Sequence, residues 1–190
     1  MAELDSSIAT RSLPLSGVHG GSATVRLEPA QPAERINLRV GAEDVSALSA
    51  ALGLDLPVKP KTSSSADGRT ALWIGPDEWL VFADGGGSIG SSLTQAAASS
   101  DAVHSATDIS HRNTAILVSG PGAAATLNAG CALDLSLDAF PIGACSRTLF
   151  GKVEIVLLRT AENTFRVEVW RSFSDYAFAL LAEGARDAAL

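Results

Sequence analysis

The sequence predicts an α+β fold built as a duplicated domain, in which each half runs strand–strand–helix, then strands, then a second helix. Neighbouring strand-like segments follow one another without an intervening helix, which disfavours a parallel βαβ sheet. A similar order of segments recurs in the second half, and 190 residues with 46% apolar and 18% charged side chains suffice for one folded core. We expect an extended arm at 1–22, one domain at 23–186 with halves of about 23–100 and 101–186, and a tail at 187–190.

The first half begins after an arm that mixes Ser, Gly, Pro and Leu without periodicity, as in segments that a partner orders. "ATVRLEP" and "ERINLRV" then read as strands, and the second is expected to be half-buried because Ile36, Leu38 and Val40 alternate. "EDVSALSAAL" predicts a helix that ends at Gly53. "VKPKTSSSADG" is expected to be a mobile polar loop. "TALWIG" and "WLVFA" predict two strands broken at Gly75-Pro76, and "SSLTQAAASS" a weak helix.

The second half repeats this order with its own strands and helices. "AVHSATD" and "NTAILVS" read as strands, and Pro121 opens a helix that Gly130 ends. "CSRTLF", "KVEIVLLR" and "TFRVEVW" read as three more strands. In the last of these, alternation places Arg166 and Glu168 on the face opposite to the apolar residues.

A final helix completes the second half. It is expected to begin at Ser172 with a capping-box-like start, because Asp175 follows three residues later, and to end at Gly184. The apolar side of this helix is expected to carry Phe173, Tyr176, Ala177, Leu180 and Leu181.

Charge and cysteine usage bound the class of protein. The formal net charge is −7 and no face gathers Lys and Arg, so nucleic acid is not expected as a partner. Cys131 and Cys145 form no C-x-x-C and have no His at metal-ligand spacing, so we expect two reduced, buried thiols in a cytoplasmic protein. Residues 1–13 have no apolar run of the secretion-signal type, and no run reaches membrane-spanning length.

A literal G-x-G-x-x-G occurs at Gly85, Gly87 and Gly90, within "FADGGGSIGSSL". A dinucleotide-binding turn also needs a parallel strand before it, a well-formed helix after it and an acidic residue about 20 positions on, where Asp108 lies. Against this reading, the carboxylate of Asp84 would repel a pyrophosphate, the following helix is short and rich in Ser, and the strand order is not βαβ. We therefore expect a loop here, with a small NAD-binding protein as the alternative.

Asp108, Ser110 and His111 lie almost consecutively in "TDISHRN", whereas catalytic triads assemble from distant positions of the chain. The pattern favours a turn whose Asp and Ser hydrogen-bond locally. Cys131 follows a predicted helix exit, where the helix dipole disfavours a thiolate, so it is not expected to be catalytic.

Trp73 and Trp79 flank the predicted hairpin turn. Such a pair could frame a ligand, but packing in a core or a subunit interface is more common for Trp, and we take both as candidate interface residues. The residues alone thus predict no catalytic, cofactor-binding or metal-binding set, as expected of a chain that serves a larger assembly.

Two longer stretches carry a resemblance to a known family. "ALWIGPDEWLVFA", and the sequence from "TDISHRNTAILVSGPGAAATLNAG" through "FPIGACSRT" to "SFSDYAFALL", resemble the gamma subunits of heterotetrameric sarcosine oxidases. The similarity covers about residues 35–185.

The second half also resembles, more distantly, the folate-binding domain of glycine-cleavage aminomethyltransferases. The matching residues are Asp108-Ile109-Ser110, Gly120-Pro121 and the run 141–147, "PIGACSR". That resemblance implies a duplicated α+β fold with a pseudo-twofold axis. Where those enzymes carry an acidic pair, "GKVEIV" has Lys152 and Glu154, which argues against folate binding by this chain.

The first resemblance implies a non-catalytic structural subunit. In that family the alpha subunit carries NAD and a folate-binding domain, beta carries FAD, FMN lies between alpha and beta, and delta binds zinc. The complex demethylates sarcosine oxidatively and passes the one-carbon unit to tetrahydrofolate. By this resemblance the partners are alpha, chiefly its folate-binding domain, beta and delta, and this chain itself binds no cofactor. The alternative is a freestanding folate-binding one-carbon protein.

Overall fold

The computed structural model describes residues 13–84 and 92–189. In this part of the chain the strands are β1 (Gly20–Gly21), β2 (Arg26–Pro29), β3 (Ala33–Val40), β4 (Ser63–Ala66), β5 (Arg69–Gly75), β6 (Glu78–Asp84), β7 (His104–Asp108), β8 (Asn113–Ser119), β9 (Cys145–Phe150), β10 (Val153–Ala161) and β11 (Thr164–Trp170). The α-helices are α1 (Val45–Leu52), α2 (Ser92–Ala98), α3 (Ala123–Asn128) and α4 (Ser174–Asp187). Single 3-10 turns at Ala42–Asp44 and Arg171–Phe173 precede α1 and α4.

Among the described residues, the strands form two antiparallel sheets. Sheet A has the order β1-β2-β8-β11-β10-β9, and sheet B has the order β4-β5-β6-β3-β7. The sheets exchange strands along the chain, since β2 pairs with β8 in sheet A and β7 pairs with β3 in sheet B. The α+β prediction is confirmed. The duplication and the boundaries between the halves remain predictions.

The two sheets stack between two pairs of helices. The outer face of sheet A packs on α3 and α4, and the outer face of sheet B packs on α1 and α2. The inner faces meet through a third cluster, in which Leu72, Leu80 and Phe82 of sheet B join Val156 and Leu158 of sheet A. Both faces of each sheet are therefore largely buried.

Several predicted element boundaries match the structure. Gly53 ends α1 in the left-handed region at φ 61°, and its N–H donates to the carbonyl oxygen of Ala50. The turn at Gly75-Pro76 separates β5 from β6, as the sequence predicts.

The predicted polar loop at 58–68 is wrong in part, because it contains β4, which pairs with β5 from Ser63↔Leu72 to Ala66↔Arg69. Strand pairing uses backbone groups, so an edge strand can form from serines that a reading of side-chain polarity assigns to a loop.

The predicted boundaries of the last helix are also wrong. The N-cap residue is Phe173 and no side chain caps the helix. The helix continues through Gly184 to Asp187. A Cβ at Gly184 would lie 2.7 Å from the carbonyl oxygen of Thr126, so this glycine permits the close approach of α3 and α4 instead of ending α4.

The apolar face of α4 differs from the expected one as well. Phe178 packs in the core with Ala177 and Leu181, whereas Phe173 and Tyr176 are each 41% exposed. Phe173 lies in the 3-10 turn before α4 and stacks on Trp170, so it is not part of the helix face that packs on sheet A.

The described part of the arm does not extend away from the domain. Leu15 is buried in the cluster of sheet A, and β1 pairs with β2. Residues 1–12 lie outside the described part of the chain. No helix within the described ranges is long and apolar enough to cross a membrane.

Candidate functional site

Four charged residues form an ion-pair network between the two sheets. Glu168 of β11 accepts hydrogen bonds from Arg35 Nε at 2.7 Å, Arg35 Nη2 at 3.2 Å and Arg166 Nε at 2.8 Å. Arg166 also lies 3.2 Å from the carboxylate of Asp84 and 4.3 Å over the ring of Phe82. The network links β3 and β6 of sheet B to β11 of sheet A.

The alternation in β11 is as predicted, and the face that carries Arg166 and Glu168 is buried between the sheets. The side chains of Arg35, Arg166 and Glu168 are 3%, 6% and 0% exposed. A second sheet covers this face, so each charge has to find its partner inside the protein. The carboxylate of Glu168 is neutralised by two guanidinium groups and serves to join the sheets.

An inter-sheet cleft of about 230 Å³ opens beside this network. Its lining comprises Asn37, Ile74, Glu78 and Leu80 of sheet B, Ile109, Arg112 and Asn113 of the connection and start of β8, and Arg147, Glu154, Ile155, Val156, Glu168 and Trp170 of sheet A. The two sheets thus both contribute polar groups to one cavity.

One ion pair crosses the cleft. Arg147 donates to Glu78 Oε1 at 2.8 Å, and the amide of Asn37 donates to the same oxygen at 2.8 Å. Burial opposes ionisation of Glu78, but the hydrogen bonds from Arg147 and Asn37 outweigh it and hold the pKa of Glu78 below its ordinary value. The carboxylate of Glu78 in the cleft is therefore ionised, and it already accepts hydrogen bonds from Arg147 and Asn37.

An aromatic ladder, defined here as Arg112, Trp170 and Phe173, stands at the mouth of the cleft. The guanidinium of Arg112 lies 4.0 Å from the centroid of the Trp170 ring. The rings of Trp170 and Phe173 stack with centroids 5.8 Å apart. The backbone N–H of Arg171 donates to the carbonyl oxygen of Arg112 at 2.7 Å, which ties the two segments together.

A second cavity, of about 250 Å³, lies between the described end of the arm, the Pro29–Ala33 segment and His111. Ser110 Oγ donates to Asp108 Oδ1 at 2.6 Å, and the N–H of Ser110 donates to the same oxygen at 2.8 Å. This confirms the prediction of a locally hydrogen-bonded turn, with an exposed His111 beside it.

Both cysteines are free and buried, as predicted. Burial raises the pKa of Cys145 to about 12, and its sulfur lies 3.2 Å from the carbonyl oxygen of Thr62. A thiol held in this form does not supply a thiolate near neutral pH.

The two candidate interface tryptophans face the same side of sheet B, because they pair directly across the hairpin. Trp79 is 1% exposed and its Nε1–H donates to the carbonyl oxygen of Pro57 at 2.8 Å. Trp73 is only partly buried against the same cluster. The Trp79 ring therefore packs within this chain, and the role of either residue in an interface remains a prediction.

Gly85, Gly87 and Gly90 lie outside the described residues, but the strand before them is described. β6 pairs antiparallel with both β3 and β5, which is not the parallel strand that a dinucleotide-binding turn follows. Within 13–84 and 92–189, no group of three or more His, Cys, Asp or Glu is placed to hold a metal ion.

The sequence reasoning did not identify the ion-pair network, the cleft or the ladder. A usable signal was present in the charges that interrupt two otherwise apolar strands: Arg35 in "ERINLRV", and Arg166 and Glu168 in "TFRVEVW". Opposite charges at inward-facing positions of separate strands indicate a buried pair.

Comparison with known proteins gives a family and a fold. The family model described as the sarcosine oxidase, gamma subunit family matches residues 40–187. The sarcosine oxidase subunit gamma of Corynebacterium sp. (strain P-1) is 29% identical over 158 residues, 82% of this chain and 77% of that one. The same subunit from Arthrobacter sp. is 31% identical over 128 residues, 67% and 62% of the two chains.

Two solved structures share the fold. A chain of the heterotetrameric sarcosine oxidase from Corynebacterium sp. U-96, in complex with pyrrole 2-carboxylate, has a TM-score of 0.81 at 24% identity, covering 90% of this chain and 89% of that one. The glycine cleavage system aminomethyltransferase T from Bartonella henselae has a TM-score of 0.63 at 16% identity, covering 85% and 46%. These structural similarities concern the fold alone.

Proposed function

The chain belongs to the sarcosine oxidase gamma subunit family, and on that premise we propose that it is the gamma subunit of a heterotetrameric sarcosine oxidase. In this proposal the complex demethylates sarcosine oxidatively and passes the one-carbon unit to tetrahydrofolate, while this chain serves assembly and carries no catalytic residue. The family match over residues 40–187 is the observation that carries the proposal.

The proposed partners are the alpha subunit, chiefly through its folate-binding domain, together with beta and delta. FAD, FMN, NAD, tetrahydrofolate and zinc would belong to those subunits. Two free, buried thiols suit a reducing compartment, which supports a cytoplasmic location.

The described interior supports an assembly role. Two of its inward-facing carboxylates already have partners, since Glu168 is held by Arg35 and Arg166, and Glu78 by Arg147 and Asn37. A carboxylate that recognises a ligand needs a free oxygen edge, so these groups favour a structural role for the interior of the sandwich.

A freestanding folate-binding one-carbon protein is the second candidate, favoured by the aminomethyltransferase fold. Against it, Glu154 and Lys152 stand where the resembling enzymes have an acidic pair. This candidate predicts tight tetrahydrofolate binding by the isolated chain, whereas the assembly subunit predicts none.

The test is to tag the full-length chain in its own cells, purify it and identify what accompanies it. We expect the alpha, beta and delta subunits to accompany the tagged chain in a fixed ratio. We also expect sarcosine-dependent oxidase activity in the eluate. Recovery of the chain alone, with no oxidase subunit and no such activity, would contradict the proposal.

The arm and the hairpin around Trp73 are proposed to lie near the alpha subunit. Because Leu15 is buried in the core, the arm is best tested by deleting residues 1–12 only. We expect weaker recovery of alpha with an unchanged circular dichroism spectrum, and full recovery would show that these residues are not needed for assembly.

A further inference from the structure

One end of the inner face of sheet A is not covered by sheet B. Cys145, Val156 and Arg166 contact residues of sheet B, and these contacts identify the inward-facing positions of β9, β10 and β11. By strand alternation, Leu149, Glu154 and Trp170 continue the same face toward the cleft.

These continuing positions form a row across sheet A. Leu149 pairs with Glu154, Trp170 pairs with Asn113, and Glu154 comes beside Trp170 because Ile155 pairs with Val169. Leu149 is 60% exposed and Trp170 is 37% exposed, although both lie on a face that is buried elsewhere. This end of the sheet lacks the covering layer that the rest of it has.

The aromatic ladder extends the uncovered row. Phe173 continues the stack that Arg112 and Trp170 begin. The guanidinium of Arg112 makes no hydrogen bond or ion pair with any residue of the described ranges, so its N–H edge is free while its face is held on the ring. Trp and Arg are the residue types that most often dominate binding energy at interfaces.

Two unpaired groups indicate what would bind. Arg112 supplies a cation whose N–H edge is free, and Glu154, which lies beside Trp170 in the same row, supplies an exposed carboxylate with no partner among the described residues. A polypeptide segment with a carboxylate for Arg112 and a basic side chain for Glu154 complements both.

We propose that the inter-sheet cleft and the aromatic ladder form the surface that receives a segment of a partner oxidase subunit, which brings a carboxylate to Arg112, a basic side chain to Glu154 and an apolar side chain against Trp170 and Leu149. The inference rests on the proposed function, and it assigns the main contact to this end of the sandwich instead of the Trp79 ring.

The shape of the surface favours a protein segment over a small molecule. The cavity of about 230 Å³ is below the range of roughly 300–1,000 Å³ typical of ligand pockets. The exposed apolar side chains, Leu149 and Phe173, lie outside the cavity on its rim, where only a larger partner would cover them.

The experiment uses the tagged full-length chain within its purified complex. Complexes are prepared in which the tagged chain is wild type, Arg112→Glu, Trp170→Ala or Phe173→Ser. Untagged wild-type chain is then added to each complex, and the rate at which it displaces the tagged chain is measured. Arg186→Glu, at an exposed position in the last turn of α4, and Val103→Ala, at an exposed apolar position, are the matched controls. Circular dichroism and thermal unfolding confirm that each variant is folded.

We expect Arg112→Glu and Trp170→Ala to exchange at least about 30-fold faster than wild type, as for an interface hot spot, and both controls to exchange at the wild-type rate. A photocrosslinking residue, Phe173→p-benzoylphenylalanine, is expected to join a peptide of another oxidase subunit that contains Asp or Glu.

Wild-type exchange rates in all the folded ladder variants would overturn the inference and leave the proposed function intact. So would a crosslink confined to a second copy of this chain, to its own residues 1–12, or to no protein at all. If the wild-type chain brings no oxidase subunit with it, the proposed function fails first and the inference fails with it.

Discussion

Substituting Glu168→Gln removes the anion that two buried guanidinium groups share. The carboxylate accepts three charge-assisted hydrogen bonds, at 2.7, 3.2 and 2.8 Å, and its side chain is 0% exposed. Breaking a buried ion pair by removing one partner costs about 3–5 kcal/mol, because the other charge stays buried without compensation. Asp84 still faces Arg166, so we expect the lower end, about 3 kcal/mol.

The free energy of unfolding is measured by reversible urea denaturation of the full chain, followed by tryptophan fluorescence and circular dichroism. A loss of about 3 kcal/mol corresponds to a melting temperature lower by about 6–12 °C for a chain of this size. The control is Glu28→Gln, which removes an exposed pair with Arg26 at 2.6 Å and should cost at most about 1 kcal/mol. Equal stabilities of the two variants would refute the reasoning that this network is desolvated and joins the sheets.

Three other predictions concern the core, the cleft and the expected lack of cofactor binding by this chain. Trp79→Ala should lower the free energy of unfolding by about 3–5 kcal/mol, because the ring is 1% exposed, and a fully folded variant that fails only in assembly would contradict its core position. The pKa of Glu78 is lowered in the folded state. The Glu78–Arg147 pair should therefore stabilise the protein fully at pH values above 4.5, the ordinary pKa of Glu78, and this stabilisation should be lost as the pH falls through the folded pKa. Stability measured against pH for wild type and Glu78→Gln checks this, and a difference that grows on acidification would have the wrong sign. The isolated chain should show no NAD-induced thermal shift and no tetrahydrofolate binding, and Gly87→Ala should leave the activity of the complex unchanged; saturable micromolar binding of either ligand would contradict this.

Local pattern predicted most of the strands and helices. Apolar alternation located β3 and β11, short strand-like runs located β5, β6 and β8, and the Gly53 stop located the end of α1. It failed where backbone pairing forms structure without an apolar pattern, as in β4, and where a glycine serves packing, as at Gly184. Both failures depend on neighbours that are distant in the chain.

The candidate site was the least predictable part. The turn at Asp108 and Ser110 was predicted correctly, because its hydrogen bonds are local. The cleft joins residues from β3, β5, β6, β8, β9, β10 and β11, and no spacing in the sequence brings Asn37, Arg147 and Trp170 together. The residue type and hairpin position of Trp79 predict either a core or an interface location, and its burial depends on α1 and the segment at Pro57.

The sequence by itself determined the α+β class, the alternating faces of the strands and the family to which the chain belongs, because these follow from local periodicity and from motifs in a fixed order. Only the tertiary structure decided which polar face is exposed to solvent. The sequence places Arg166 and Glu168 on the polar face of β11, and Arg35, 133 residues from Glu168 along the chain, meets them between the sheets. At the other end of the same face, Trp170 is left 37% exposed where sheet B ends. The alternation of a strand specifies two faces, but only the packing of a second sheet determines whether each face meets water or protein.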